Sequence, residues 1–341
     1  MRWRRPGGAA RGLAVMRPTR LILCACVIAG LAPGTFLRSE PPPPDLAAPV
    51  EIVALDIAPA TSGPLTLAGA WEITGENDGI GGYSALLMLD EDTLLAASDA
   101  GRVLILPRPD RTGPGTPEVS GFTGLTNDGW IRVDVESLVR DPATGTYWAG
   151  IEGSNHVVRF AADRSWSAAA KPASMQEWGD NTGAESMVLL PDGRVIVIEE
   201  GVASRPPAGI VFDRDPTQSE ATLAFTLAGT GGYKPADAAM LPDGRIAVLL
   251  RAWAFGLPPR FSARLAIFDP AQIAEGATIA LEPLADLGEG FPSDNFEGLA
   301  VTGDKDGDWT VWLVSDDNFA SFQRSLLLKL DWPRTRQKAR R

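Results

Sequence analysis

Five polar residues recur at near-regular intervals: Ser84, Glu136, Glu185, Asp237 and Glu297, separated by 52, 49, 52 and 60 residues. Each stands just before a small residue and an apolar run. A second set closes the apolar run that follows: Asp99, Glu152, Glu199-Glu200, Arg251 and Asp316. Repeated carboxylates of this kind have two uses. If the fold gathers them on one axis, they need counter-charges, because like charges raise one another's pKa. Hard oxygen ligands then favour Ca²⁺, with Mg²⁺ as the alternative, and Arg251, Arg264 and Arg324 are the arginines best placed to help. If the fold keeps them apart, each acid only bonds to turn N–H groups of its own repeat.

The elements that must position these residues read as short strands. Between the two sets lie turns: Asp90-Glu-Asp92, Asp141 to Gly145, Pro191-Asp-Gly193, Pro242-Asp-Gly244 and Asp304 to Asp308. Pro-Asp-Gly and Asp-Gly between apolar runs are hairpin signals. Third strands are expected at Val103–Leu106, Val157–Phe160, Ile210–Phe212, Leu265–Phe268 and Leu326–Leu330. Repeats of about fifty residues built from short strands describe the blades of a β-propeller. The expected fold is therefore all-β, a single β-propeller. Five units are visible, and the body from 50 to 332 has room for six blades. Leu65–Ile73 is expected to add an outer strand to the blade completed by Leu326–Trp332, so that N- and C-terminal strands close the ring and remove free edges.

Composition narrows the chemistry. The chain has 341 residues, 36 Gly, 28 Pro, one histidine (His156) and two cysteines, Cys24 and Cys26. Sites with several histidine ligands, zinc fingers and disulfide frameworks are excluded. Any Ser-His-Asp triad would have to use His156. The net charge is −12, and residues 1 to 38 hold seven arginines and no acid, so the rest carries about −19. Such a body repels nucleic acid and anionic lipid.

Residues 1–38 read as a signal peptide or N-terminal anchor. Basic residues precede the apolar stretch Leu21 to Ala32, which is short for a membrane span. Met16 is a candidate alternative start, and a lipoprotein site at Cys26 would need a longer apolar run. Residues 39–64 read as a proline-rich linker, 65–333 as the propeller and 334–341 as a basic tail. The expectation is an exported monomer, periplasmic or secreted, touching membrane only through an uncleaved N-terminal segment.

The motifs together resemble the phytase-like β-propeller family, known by the label esterase-like activity of phytase. The resemblance runs from Gly81 to Asp331. It is carried by Gly81-Gly-Tyr-Ser84 with Ser98-Asp99, by Asp134-Val-Glu136 with Trp148–Glu152, and by Asn181-Thr-Gly-Ala-Glu185. Tyr233-Lys-Pro-Ala-Asp237, Leu241 to Arg245 with Arg251 and Arg264, Asp294-Asn-Phe-Glu-Gly298, and Ser315 to Phe319 with Gln323-Arg324 complete it. Glu136 and Glu185 are followed by serine where the family pattern has glycine, and the Asp-rich signature of the calcium-dependent propeller phytases is missing.

The resemblance implies a propeller acting on a small-molecule phosphate or carboxylate ester with bound Ca²⁺. Asp99, Glu136, Glu152, Glu185, Asp237, Glu297 and Asp316 would hold ions. Glu136, Glu185, Arg251, Arg264 and Arg324 would serve catalysis, and Ser84, Lys234 and Asn318 would bind substrate. Two other functions are weighed beside it: a non-catalytic envelope scaffold, and a carboxylesterase using Ser84, although Ser84 lacks the second glycine of a nucleophile elbow.

Weaker signals have plainer readings. Asp304 to Asp308 carries its glycine at the fourth position, not the sixth of an EF-hand, and reads as a turn. His156 reads as a strand-end residue. Trp71, Trp148, Trp253, Trp309 and Trp312 lie in strand patterns and are expected to pack between blades, with sugar binding by one or two as the alternative.

Overall fold

The computed structural model describes residues 22–23, 26–27, 44–111, 115–125, 133–179, 182–202, 204–256, 259–303, 307–320 and 323–333. Most of the apolar stretch Leu21 to Ala32, the basic tail and the start of the Asp304 turn lie outside the described residues. No helix among the described residues is long and apolar enough to cross a membrane. Met1–Pro44 forms one unit and Asp45–Arg341 another.

The second unit is five sheets arranged as a β-propeller, with two single-turn 3₁₀ segments as its only helices among the described residues. The chain opens with β1 (Val50–Ala54), β2 (Thr61–Ser62) and β3 (Leu65–Gly75). The next sheet is β4 (Tyr83–Met88), β5 (Thr93–Ser98), β6 (Arg102–Pro107) and β7 (Glu118–Gly121). Then come β8 (Val135–Arg140), β9 (Tyr147–Ile151), β10 (His156–Phe160) and β11 (Trp166–Ala170). The fourth group is β12 (Ala184–Leu189), β13 (Val195–Glu199), β14 (Ala208–Phe212) and β15 (Leu223–Ala228). β16 (Lys234–Met240), β17 (Ile246–Ala254) and β18 (Arg260–Phe268) follow. β19 (Ala277–Ala280) returns to lie parallel to β15, and β20 (Glu282–Leu287) completes the sheet of β16 to β18. Last, β21 (Asn295–Gly303), β22 (Trp309–Asp316) and β23 (Leu326–Trp332) pair in order, and β3 pairs with β23.

Five sheets replace the expected six blades. The first 25 residues of the body account for the difference. Val50–Ala54 and Thr61–Ser62, expected in a linker, pair with β3 and widen the terminal sheet instead of starting a new one. The inner strands touch in turn: β21 with β4, β4 with β8, β8 with β12, β12 with β16 and β16 with β21.

Both faces of a blade are buried, so its middle strands are nearly continuous apolar runs rather than strict alternations. Val195 to Ile198 and Ile246 to Leu250 are all buried. The apolar side chains sort into five clusters, each shared by two neighbouring sheets. Trp71, Trp148, Trp309 and Trp312 are buried within them, but Trp253 is 63% exposed. β17 and β18 run three residue pairs past the ends of β16 and β20, and Trp253 stands on that extension.

Leu313 is fully buried in the cluster between the terminal sheet and that of β16 to β18. Leu313→Ala should lower unfolding free energy by about 2–5 kcal/mol, read from urea titration, because the void cannot fully collapse.

Candidate functional site

A shared backbone event presents the first polar set. Every inner strand slips register by one residue near its start, between Tyr83 and Ala85, Val135 and Ser137, Ala184 and Ser186, Pro235 and Asp237, and Phe296 and Gly298. The extra residue of a bulge leaves the ladder and re-aims its side chain. Those residues are Ser84, Glu136, Glu185, Ala236 and Glu297. Four of the expected five therefore share one structural position, and Asp237 is one residue out of step with them.

The re-aimed side chains meet the ends of the second strands in a cavity of about 170 Å³. Ser84, Asp99, Glu136, Glu152, Glu185, Arg251, Glu297, Asp316 and Asn318 line it, with Gly82. Six carboxylates thus surround one guanidinium among the described residues. Arg251 Nη1 lies 3.2 Å from Glu297 Oε1, and Nη2 lies 3.1 Å from Glu200 Oε1. Lys234 Nζ pairs with the other oxygen of Glu200 at 2.6 Å. Asn295 Nδ2 donates to Glu297 Oε1 at 2.7 Å and to Asp316 Oδ2 at 3.4 Å.

The remaining expected residues do not join this group. Asp237 is buried, and its carboxylate accepts from the N–H groups of Leu299 at 2.7 Å and Ala238 at 2.8 Å. It satisfies backbone beside Gly298, where an added Cβ would meet Val314 Cγ1 at 2.5 Å. Arg264 pairs with Asp286 and lies 4.5 Å over the Tyr233 ring. Arg324 is exposed and does not line the cavity. Lys234 reaches the cavity only through Glu200. Ser84 lines it, but its Oγ donates to the Val135 carbonyl at 2.5 Å. His156 is buried at the start of β10, outside the cavity lining.

Asp134 is the residue missed. Carboxylate oxygens of Asp134, Glu136 and Glu152 all lie within 4.8 Å of one another. The backbone sets this up, since Glu152 N donates to Asp134 O at 2.8 Å. The sequence signal was the Asp-Val-Glu spacing at the entry to β8. Three carboxylates that close fit a hard divalent cation.

Burial and mutual repulsion push these acids up. Asp99 rises to about 6, from burial and then the charges of Asp134, Glu297 and Asp317. Glu152 rises to about 7, from burial, Asp134 and Glu200. Asp316 rises to about 8, from burial, Glu297 and Asp99. Glu136 and Glu185 are held well above the ordinary carboxylate range, first by burial; Arg251 partly offsets this at Glu185. Burial pushes the Arg251 pKa down, but the surrounding glutamates outweigh it and raise the value.

An all-β propeller with an acidic cavity ringed by its inner strands is the class these features define. The chain belongs to the phytase-like family, esterase-like activity of phytase, which matches residues 78–319. Among solved structures, Kuenenia stuttgartiensis hydrazine synthase is similar at 15% identity with a TM-score of 0.37. That match covers 70% of this chain and 58% of the hydrazine synthase chain. No curated protein matches the chain.

Acids with raised pKa favour the folded state while protonated. That contribution is complete below their unfolded values near 4 and is lost as the pH climbs through the folded values of about 6, 7 and 8. Protein stripped with EDTA should therefore melt at progressively lower temperature from pH 5 to pH 8. Millimolar Ca²⁺ should flatten the decline, and calorimetry in buffers of different ionisation enthalpy should detect proton release on binding.

Proposed function

We propose that the protein is a divalent-cation-dependent phosphoric ester hydrolase whose working site is the acidic cavity. The observation that carries this is the crowding of six carboxylates around Arg251 alone. Asp134, Glu136 and Glu152 would hold Ca²⁺, or Mg²⁺ in its place. A bound cation there would neutralise phosphate oxygens and lower the pKa of a nearby water.

The chain's own groups divide the remaining work. Arg251, fixed between Glu200 and Glu297, offers charge to a phosphate oxygen. Asp316, pushed up to about 8, keeps a proton near neutral pH that it can give to a leaving oxygen. Asn295 orients Glu297 and Asp316. Asn318, whose N–H donates to Asp316 Oδ1 at 2.6 Å, borders the entrance.

Serine-esterase chemistry lacks support, because Ser84 Oγ is bonded to a carbonyl and no histidine lines the cavity among the described residues. A binding scaffold without turnover is the second reading. It is favoured by Asp237, an acid of the repeated set that holds backbone instead of lining the cavity.

The pairing of β3 with β23 would close the propeller ring, so the body needs no partner to cover an open blade. We take the working protein to be monomeric, to act on a small-molecule ester, and to act outside the cytosol in the periplasm or beyond. The basic and apolar residues ahead of a cysteine-free body support that location.

At Ca²⁺ a hundred times its Kd, the wild type should gain about 2.7 kcal/mol in thermal melts. Glu136→Gln should weaken Ca²⁺ binding at least about tenfold, since it removes one charged ligand of three. Hydrolysis across a phosphate-ester panel should fall in step. A flat wild-type melt would defeat the ion reading and leave the scaffold.

A further inference from the structure

The acidic cavity is almost wholly polar, yet large apolar side chains stand exposed within a few residues of Arg251 and Asn318, which line it. Phe255 is 95% exposed, Trp253 63% and Phe319 60%. Trp253 belongs to the strand that carries Arg251, and Phe255 follows its last residue. β17 keeps unbroken register from Ile246 to Ala254, so Arg251 and Trp253, two residues apart, share one face. Phe261 is paired directly opposite Trp253 and shares that face.

The direction of the face follows from the core. Leu249, Ala263 and Leu265 lie on it, and they pack in one cluster with Phe296, Leu299 and Leu313 of the terminal sheet. That sheet supplies Glu297, Asp316 and Asn318 to the cavity. The extension of β17 and β18 is braced on the same side, where Ser293 Oγ donates to Phe261 O at 2.8 Å. Phe319 stands in the turn that follows β22 of the terminal sheet. It is held at φ 49° by the bond from its N–H to Asp317 Oδ1 at 3.0 Å. A left-handed backbone at a phenylalanine is strained, and here it accompanies a ring that lies against Gly82 of the cavity lining.

Resting on the reading of the cavity as an oxyanion-ester site, we infer that the substrate is amphipathic: its phosphoryl group enters the acidic cavity while a flat apolar group, such as an aryl ring, lies against Trp253. A substrate bearing charge on every side would leave these rings in contact with nothing apolar. The Trp253 platform is a specificity element and takes no part in the chemistry.

The test uses the full chain loaded with Ca²⁺ and two unreactive probes, 2-naphthylphosphonate and methylphosphonate, titrated by calorimetry. Wild type should bind the naphthyl probe about tenfold or more tightly than the methyl probe, the scale expected of ring stacking with burial. Trp253→Ala should collapse that ratio toward one without changing methylphosphonate affinity, and Trp253→Phe should restore most of it. Equal affinity for both probes in the wild type would overturn the inference and leave the oxyanion site standing. Binding of neither probe, with a melt still raised by Ca²⁺, would overturn the inference and the ester reading together. A variant that loses adhesion to phosphatidylglycerol vesicles, with no preference between probes in the wild type, would assign the rings to a lipid surface and overturn it as well.

Discussion

The cavity is governed by repulsion among carboxylates that the backbone forces together. Glu136, Glu185 and Glu297 leave their strands at bulges, and the ends of the second strands add Asp99, Glu152 and Asp316. None can retreat, because each is held by a register that the inter-sheet cores fix. Burial removes the water that would screen them, and the single guanidinium of Arg251 cannot balance six charges. The folded chain can relieve the strain only by holding protons on the acids or cations among them. Either resolution makes the cavity sensitive to its ionic surroundings.

The blades share this burden unequally. The sheet of β16 to β18 is the one whose bulge residue, Ala236, brings no polar group to the axis. The same sheet supplies Arg251. Its neighbouring acid, Asp237, turns instead to the N–H groups of Ala238 and Leu299. One blade therefore gives the others their counter-charge and ties two inner strands together beneath it. Glu200 completes the arrangement by gripping Arg251 and Lys234 at once, so Nη2 of the guanidinium is held by Glu200 and Nη1 by Glu297.

Repeats are read well from sequence where one residue type does one job. The turns and the third strands at Val103, Val157, Ile210, Leu265 and Leu326 were plain, because Pro-Asp-Gly and buried apolar runs have few other meanings. The number of blades was not, since the length of the body allows six, while β1 and β2, within the stretch that reads as a linker, pair with β3 in an existing sheet. The bulges fall on Ser84, Glu136, Glu185 and Glu297, and in the remaining blade one residue before Asp237. A bulge is a backbone event, and spacing between acids does not reveal which residue carries it. The sequence does not distinguish Asp134 from a strand-entry acid, because it is the pairing of Glu152 N with Asp134 O that accompanies the approach of its carboxylate to Glu136 and Glu152.

Trp253 shows the limit most sharply. Its sequence pattern matches that of Trp309 and Trp312, which are buried between sheets. The difference lies in how far the neighbouring strands run. β16 pairs no further than Arg251, and β20 no further than Ala263, so the same alternation that buries Leu249 leaves Trp253 in the open. Exposure of a large ring costs solubility and gains nothing for the core. An acidic, well-charged body can carry that cost, and the ring then stands on the same face as the one cation of the cavity. Length of neighbouring strands, not residue type, thus separates a core tryptophan from one available to a ligand.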